Sequence, residues 1–453
     1  MNKSNQEKNM TDPINKQPVD TWIIDPMKRF MNNSTTSGII LFSSALLALI
    51  LANSPWANDF HHIWEIKFSI GFGKYEISKS LHHWINDGLM AVFFFVVGLE
   101  LKREIISGEL SNPKKAILPL AAAVGGMVFP AAIYLLFNNN GTISNGWGIP
   151  MATDIAFALG VLYLLGDKVP ISVKIFLTAL AIADDIGAVL VIAFFYTSDI
   201  NFMSLAVGAI FLIVLITGNI IGVRNTMFYA IIGIGGLWMA FLMSGVHATI
   251  AAVLAAFTIP ANVKISDITF MAKGEMLLSK FRKSKPNDKP TLTNDQLHIF
   301  DEMQGLLKKA STPLQRMEHR LHPLVAFIIM PVFALCNAGV SISGDIGSLM
   351  SSSITLGVFF GLLLGKIVGI IATVFILLKL KIAKLPDDMN KNHIIGIGFL
   401  GAIGFTMSLF VSELAFTDAD FISQAKIGVI SASLLASFVG FYVMKHACKK
   451  TAS

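Results

Sequence analysis

The run LTALAIADDIGAVLVIAFFY, from Leu177 to Tyr196, sets two adjacent carboxylates, Asp184 and Asp185, in the middle of an otherwise apolar segment. Roughly 20 apolar residues suffice to cross about 30 Å of hydrocarbon. A charge at the bilayer centre costs about 2.5–3.5 kcal/mol on insertion scales. Side-by-side acids repel as well, and a purely structural role would be served by one acid or an amide. Burial and repulsion both favour the neutral form of such a pair. Protons and a hard, oxygen-seeking cation then compete for the same oxygens.

Working outward, the whole 453-residue chain fits that reading: 54% of its residues are hydrophobic and 14% charged, where a soluble domain has about 25% charged. Apolar runs near 37–53, 83–101, 114–137, 147–165, 170–196, 202–221, 227–243, 246–259, 321–340, 353–379, 393–416 and 426–445 give about twelve transmembrane helices. The fold class is an all-α integral membrane protein. Residues 1–36 form an N-terminal segment, 37–259 spans one to eight, 260–320 a long loop, 321–445 spans nine to twelve, and 446–453 a tail. Lys102, Arg103, Lys114, Lys115, Lys168, Arg224, Lys379, Lys381, Lys384 and Lys445 fall in connections on one side. The opposite connections NNNGTISNG, TSDIN, SISGDIG and FTDAD hold no Lys or Arg. That alternation puts both termini and the long loop in the cytoplasm, and it accounts for the net charge of +6 without nucleic-acid binding. On the outer side, KFSIGFGKYEIS (67–78) reads as an exposed β-hairpin. Within 260–320, the polar, proline-containing linker SKFRKSKPNDKPTLTND (279–295) runs into the helix-like DQLHIFDEMQGLLKKA (295–310). No Walker loop, Rossmann glycine pattern or metal-spaced Cys/His cluster occurs, and the chain is read as a non-enzyme without cofactor.

Other charges sit in apolar runs: Asp154, Lys366 and Glu413, with Asp87 and Glu100 nearer the ends of the second span. Adjacent helical residues point about 100° apart, so one of Asp184 and Asp185 can face an ion while the other faces a partner, with Lys366 the natural one. WGIPMATDIAFALG (147–160) and GIGFLGAIGFTMS (396–408) read as broken helices in the fourth and eleventh spans. Such breaks in corresponding positions of two halves point to a transporter site, with spans 3–5 and 10–12 as matched halves. Asp154 and Lys366 could neutralise the half-helix ends. A Na⁺-coupled carrier for an organic solute is a rival reading, mildly disfavoured by the adjacent acids and intramembrane lysine. An intramembrane aspartyl protease would use YD and GxGD motifs, and neither is present.

The motifs WINDGLMAVFFFVVGLELKRE (84–104), PMATDIAFALGVL (150–162), KIFLTALAIADDIGAVLVIAFFYT (174–197), SGVHATIA (244–251), RMEHRLHP (316–323), FALCNAGVS (333–341) and GLLLGKIVGI (361–370) resemble the NhaA sodium/proton antiporters of bacterial inner membranes, in the same order. The resemblance implies twelve spans, inverted repeats with discontinuous helices 4 and 11, and a pH-regulated exchange of two protons per Na⁺ or Li⁺. It implies that Asp184, Asp185, Thr153 and Asp154 make up the cation- and proton-binding site, with Asp185 the principal cation ligand and Lys366 as ion-pair partner or compensating charge. It ties Glu318 and His247 to pH response, places Asp87 and Glu100 in a cytoplasmic funnel, and implies a homodimer through the hairpin near 66–78.

Overall fold

The structure, a computed structural model, describes residues 34–72, 75–197, 200–284, 291–341 and 346–449. The expected N-terminal segment therefore falls outside the described residues except at its end, as do Gly73 and Lys74 at the hairpin tip.

Each apolar run lies on a helix or helix pair. In chain order these are α1 (Ser34–Ala52), α2 (Ala57–Glu65), strands β1 (Lys67–Phe72) and β2 (Tyr75–Ser80), then α3 (Met90–Ser107) and α4 (Pro113–Phe137). A 3₁₀ helix (Gly141–Met151) and α5 (Ile155–Tyr163) follow, then α6 (Ile171–Phe195) and α7 (Phe202–Ile221). After α8 (Thr226–Leu242) and α9 (Ala248–Thr258) come α10 (Asp267–Lys283) and α11 (Asn294–Ala310). The chain closes with α12 (Pro313–Asn337), α13 (Ser353–Lys379), α14 (Lys391–Gly401), α15 (Phe405–Ala415) and α16 (Ala419–Lys449). Among the described residues seven helices are long and apolar enough to cross a membrane, and up to nine if each of two bent pairs is one span. The bent pairs are α1 with α2, at 115°, and α14 with α15, at 43°; α8 and α9 are apolar but shorter.

Local chemistry explains the interruptions. Pro150 lacks an N–H, and Gly146 and Gly148 are poor helix formers, so the fourth apolar run begins as a 3₁₀ segment and is extended over 152–154. Gly245, at φ +80°, makes the turn between α8 and α9 that a residue with a Cβ would strain. α13 contains a π-helical turn, Gly361–Lys366, which ends on the buried lysine.

β1 and β2 pair antiparallel from Lys67↔Ser80 to Phe72↔Tyr75, the hairpin expected there, with α2 before it unforeseen. The long loop differs more. It holds two helices, α10 and α11, packed on each other through Leu277, Ile299 and Leu306, with Phe270, Phe281 and Met303 around them. α10 takes in SKFRK, which the sequence reading gave to the linker. The helix of the ninth apolar run, α12, begins at Pro313, capped by Thr312, well before residue 321.

Gly361, Gly365 and Gly369 form a small-residue stripe on α13 that allows close approach to α4. α13 lies along α4, and a Cβ on Gly369 would sit 2.2 Å from the Gly125 carbonyl oxygen. Gly369→Val is expected to cost about 1–3 kcal/mol through overpacking. A thermal unfolding series in detergent checks this, and an unchanged midpoint would refute the crossing.

Candidate functional site

The two breaks, at 152–154 and 402–404, meet directly: the Asp154 backbone N–H donates to the Ile403 carbonyl at 2.7 Å. Asp154 stands at the N-terminus of α5, and its Oδ1 accepts from the Phe157 N–H at 3.0 Å. Its Oδ2 accepts from the Thr406 N–H at 3.1 Å and from the Thr406 hydroxyl, in the first turn of α15. One carboxylate thus serves the positive ends of two half-helices. The complementary ends are served too. Lys366 donates to the Met151 carbonyl, the last of the 3₁₀ helix. The Thr153 hydroxyl lies 2.8 Å from the carbonyl of Gly401, the last residue of α14.

α6 crosses this junction and presents the acid pair. Lys366 forms an ion pair with Asp184 through Oδ2, and the Thr153 hydroxyl lies 2.5 Å from the same oxygen. Thr153, Asp154, Asp184, Asp185 and Lys366 are all at most 2% exposed. Asp184 Oδ1 and Asp185 Oδ1 are buried with no hydrogen-bond partner. This is the unusual feature. Buried acceptors are nearly always paired, and an unpaired carboxylate oxygen calls for a proton or a cation. Asp185 also lies in the field of Asp184, Asp154, Glu100 and Lys366. Among the described residues no three His, Cys, Asp or Glu come together as a metal-binding group. Two carboxylates with hydroxyl and carbonyl oxygens suit a monovalent ion held in passing better than a resident metal.

The remaining sequence candidates divide between the two ends of α3. Glu318 accepts from Arg103 Nε at 2.9 and 3.2 Å, and Arg103 also pairs with Glu104 at 2.7 Å. Glu100 feels Glu318, Arg103 and Glu104. Asp87 is elsewhere, lining a 540 Å³ cavity with Lys79, His82, His83, His247 and Glu413. Asp87 and Glu100 are thirteen positions apart on one helical run, about 20 Å of rise. The two acids therefore lie towards different ends of this helix, with Asp87 on the hairpin side. His247 Nε2 lies 2.7 Å from the Tyr196 carbonyl, which can only accept, so this nitrogen carries a proton.

Several participants escaped the sequence reading. Thr406 lies in a motif read only for its glycines. Glu413 had no assigned partner; it pairs with Lys426 of α16 at 2.7 Å, with His82 at 3.7 Å. The signal was an acid and a base thirteen residues apart on successive apolar runs.

Crossed helix breaks, an ammonium locked onto one member of an acid pair and the other member left free define a membrane carrier for small cations. The comparisons agree. A profile of the family described as Na⁺/H⁺ antiporter 1 matches residues 28–444, and the chain belongs to that family. It is 49% identical to Na(+)/H(+) antiporter NhaA of Oleidesulfovibrio alaskensis over 430 residues, 95% of each chain. It is likewise 49% identical to Na(+)/H(+) antiporter NhaA 1 of Saccharophagus degradans, covering 95% of this chain and 94% of that one. For Na(+)/H(+) antiporter NhaA 2 of Syntrophotalea carbinolica the identity is 45%, over 95% and 98%.

Proposed function

We propose that this protein is a secondary antiporter of bacterial inner membranes, extruding Na⁺ or Li⁺ in exchange for protons, two per cation, and regulated by pH. In this reading the chain spans the membrane twelve times with both termini inside, and spans 3–5 and 10–12 are inverted repeats. It dimerises through the hairpin near 66–78. The observation that carries the reading is the pair of donor-free oxygens, Asp184 Oδ1 and Asp185 Oδ1, in a buried, charged junction.

Asp185 is the principal cation ligand, free of any competing salt bridge. Asp184 exchanges its Lys366 contact for the cation. Na⁺ arriving between the two acids displaces their protons, and protons arriving displace Na⁺, because both seek the same lone pairs. Thr153 supports the exchange: its single hydroxyl hydrogen can serve Asp184 or the Gly401 carbonyl, but not both at once. Asp154, whose oxygens already accept three donors, holds the helix ends rather than the ion. Glu318, Glu100, His247 and Asp87 are assigned to pH response, at the two ends of α3.

The test uses inside-out vesicles carrying a respiration-driven proton gradient. Added Na⁺ should collapse the gradient between pH 7 and 9, whereas choline should not. A gradient indifferent to Na⁺ and Li⁺, with the protein inserted, would sink the proposal.

A further inference from the structure

The 3₁₀ helix Gly141–Met151 is eleven residues long, where such helices seldom exceed three or four. Something outside its own ladder must hold it. Four side chains from four other elements do so by bonding its backbone. The Tyr134 hydroxyl of α4 donates to the Ile143 carbonyl at 2.8 Å, and Ser408 of α15 donates to the Ile149 carbonyl at 2.8 Å. Lys366 of α13 donates to the Met151 carbonyl. Tyr196, immediately after α6, does more: its hydroxyl donates to the Asn145 carbonyl at 2.6 Å and accepts from the Gly148 N–H at 3.2 Å.

Asn145 C=O and Gly148 N–H are three residues apart, the pair that a 3₁₀ turn joins. One phenol therefore clips a single turn from outside. The fit is close, since a Cβ on Gly148 would lie 2.6 Å from the Tyr196 oxygen. Behind the clip, Trp147 meets Phe195 edge-on at 5.0 Å between ring centres. In front of it, the Tyr196 carbonyl is held by His247.

We infer that Tyr196 is a positioning residue for the ion site, holding the half-helix in its 3₁₀ form so that the Met151 carbonyl reaches Lys366. Relaxing eleven residues from about 2.0 to 1.5 Å of rise each would shorten the segment by about 5 Å. The Met151 carbonyl would then withdraw from Lys366. The ammonium, no longer shared, would bind Asp184 more tightly and compete harder with an incoming cation. Tyr196 thereby sets apparent cation affinity from outside the acid pair. This rests on the antiporter reading above.

The experiment measures Na⁺-dependent proton exchange in proteoliposomes for the wild type and for Tyr196→Phe, with Tyr134→Phe as control. The phenylalanine keeps the ring's packing against the core, and the thermal unfolding midpoint of each variant reports how much of it is folded. The KM for Na⁺ should rise about fivefold, the worth of about one hydrogen bond, with the maximal rate within about twofold. Tyr134→Phe frees the Ile143 carbonyl, near the end of the segment remote from Met151, and should raise KM clearly less than Tyr196→Phe does. An unchanged KM in Tyr196→Phe overturns the inference. So does an equal KM rise in both variants, or a loss explained wholly by less folded protein. A wild type that exchanges no Na⁺ fails the antiporter reading instead, so the two failures are distinguishable.

Discussion

Asp185→Asn is expected to abolish Na⁺-dependent collapse of a proton gradient while leaving the protein at least as stable as the wild type. The amide has nearly the shape of the carboxylate but neither takes up nor releases a proton in this pH range, and it offers a cation no charge. Asp185 Oδ1 lacks a protein donor, and the residue is 2% exposed. Removing a buried charge with no partner removes a desolvation cost and breaks no bond. Loss of function with an unmoved or raised thermal midpoint is the signature of an ion ligand. A variant that still exchanges at a tenth of the normal rate or more, or one that melts clearly earlier, would take Asp185 out of that role.

The opposite pattern is expected at Lys366. Its ammonium is fully buried, paired with Asp184 and bonded to the Met151 carbonyl. Lys366→Met keeps most of the side-chain volume but strands a carboxylate, and breaking a buried pair from one side costs about 3–5 kcal/mol. Adding Asp184→Asn removes the stranded charge, and the double variant should recover most of the lost stability though not exchange. Thermal unfolding of the four proteins in one detergent forms a complete cycle. If the double variant is as unstable as the sum of the single ones, the ion pair is not what the two residues contribute.

These contrasts show what could be read from the chain without coordinates. The buried acids, the lysine that answers one of them and both helix breaks follow from single-residue costs. A charge, a proline or a run of glycines is conspicuous in an apolar segment. What stayed hidden depends on three-dimensional proximity between ordinary residues. Thr406 is one threonine among many until α15 starts beside Asp154. Tyr196 is an interfacial aromatic until its hydroxyl meets a turn 48 residues away. The α10 helix was missed for another reason: its apolar positions are spaced for packing on α11 alone, inside a stretch whose lysines and prolines suggest a linker. A common funnel for Asp87 and Glu100 follows from the family resemblance alone, and a shared helix does not say which mouth each side chain faces.

The π-helical turn that ends on Lys366 has a consequence for how such a site could arise. A turn of this kind holds one residue more than the α-helix it interrupts. Deleting a single residue between Gly361 and Gly365 would restore the simpler helix with both halves still in phase, because the wider turn absorbs the extra residue instead of rotating one half against the other. The segment before the turn and the segment after it could therefore keep their packing against α4 with or without the extra residue. The turn can thus be traced to a one-codon difference in length, a change that a lineage can gain or lose in one step while every flanking residue keeps its identity and its direction.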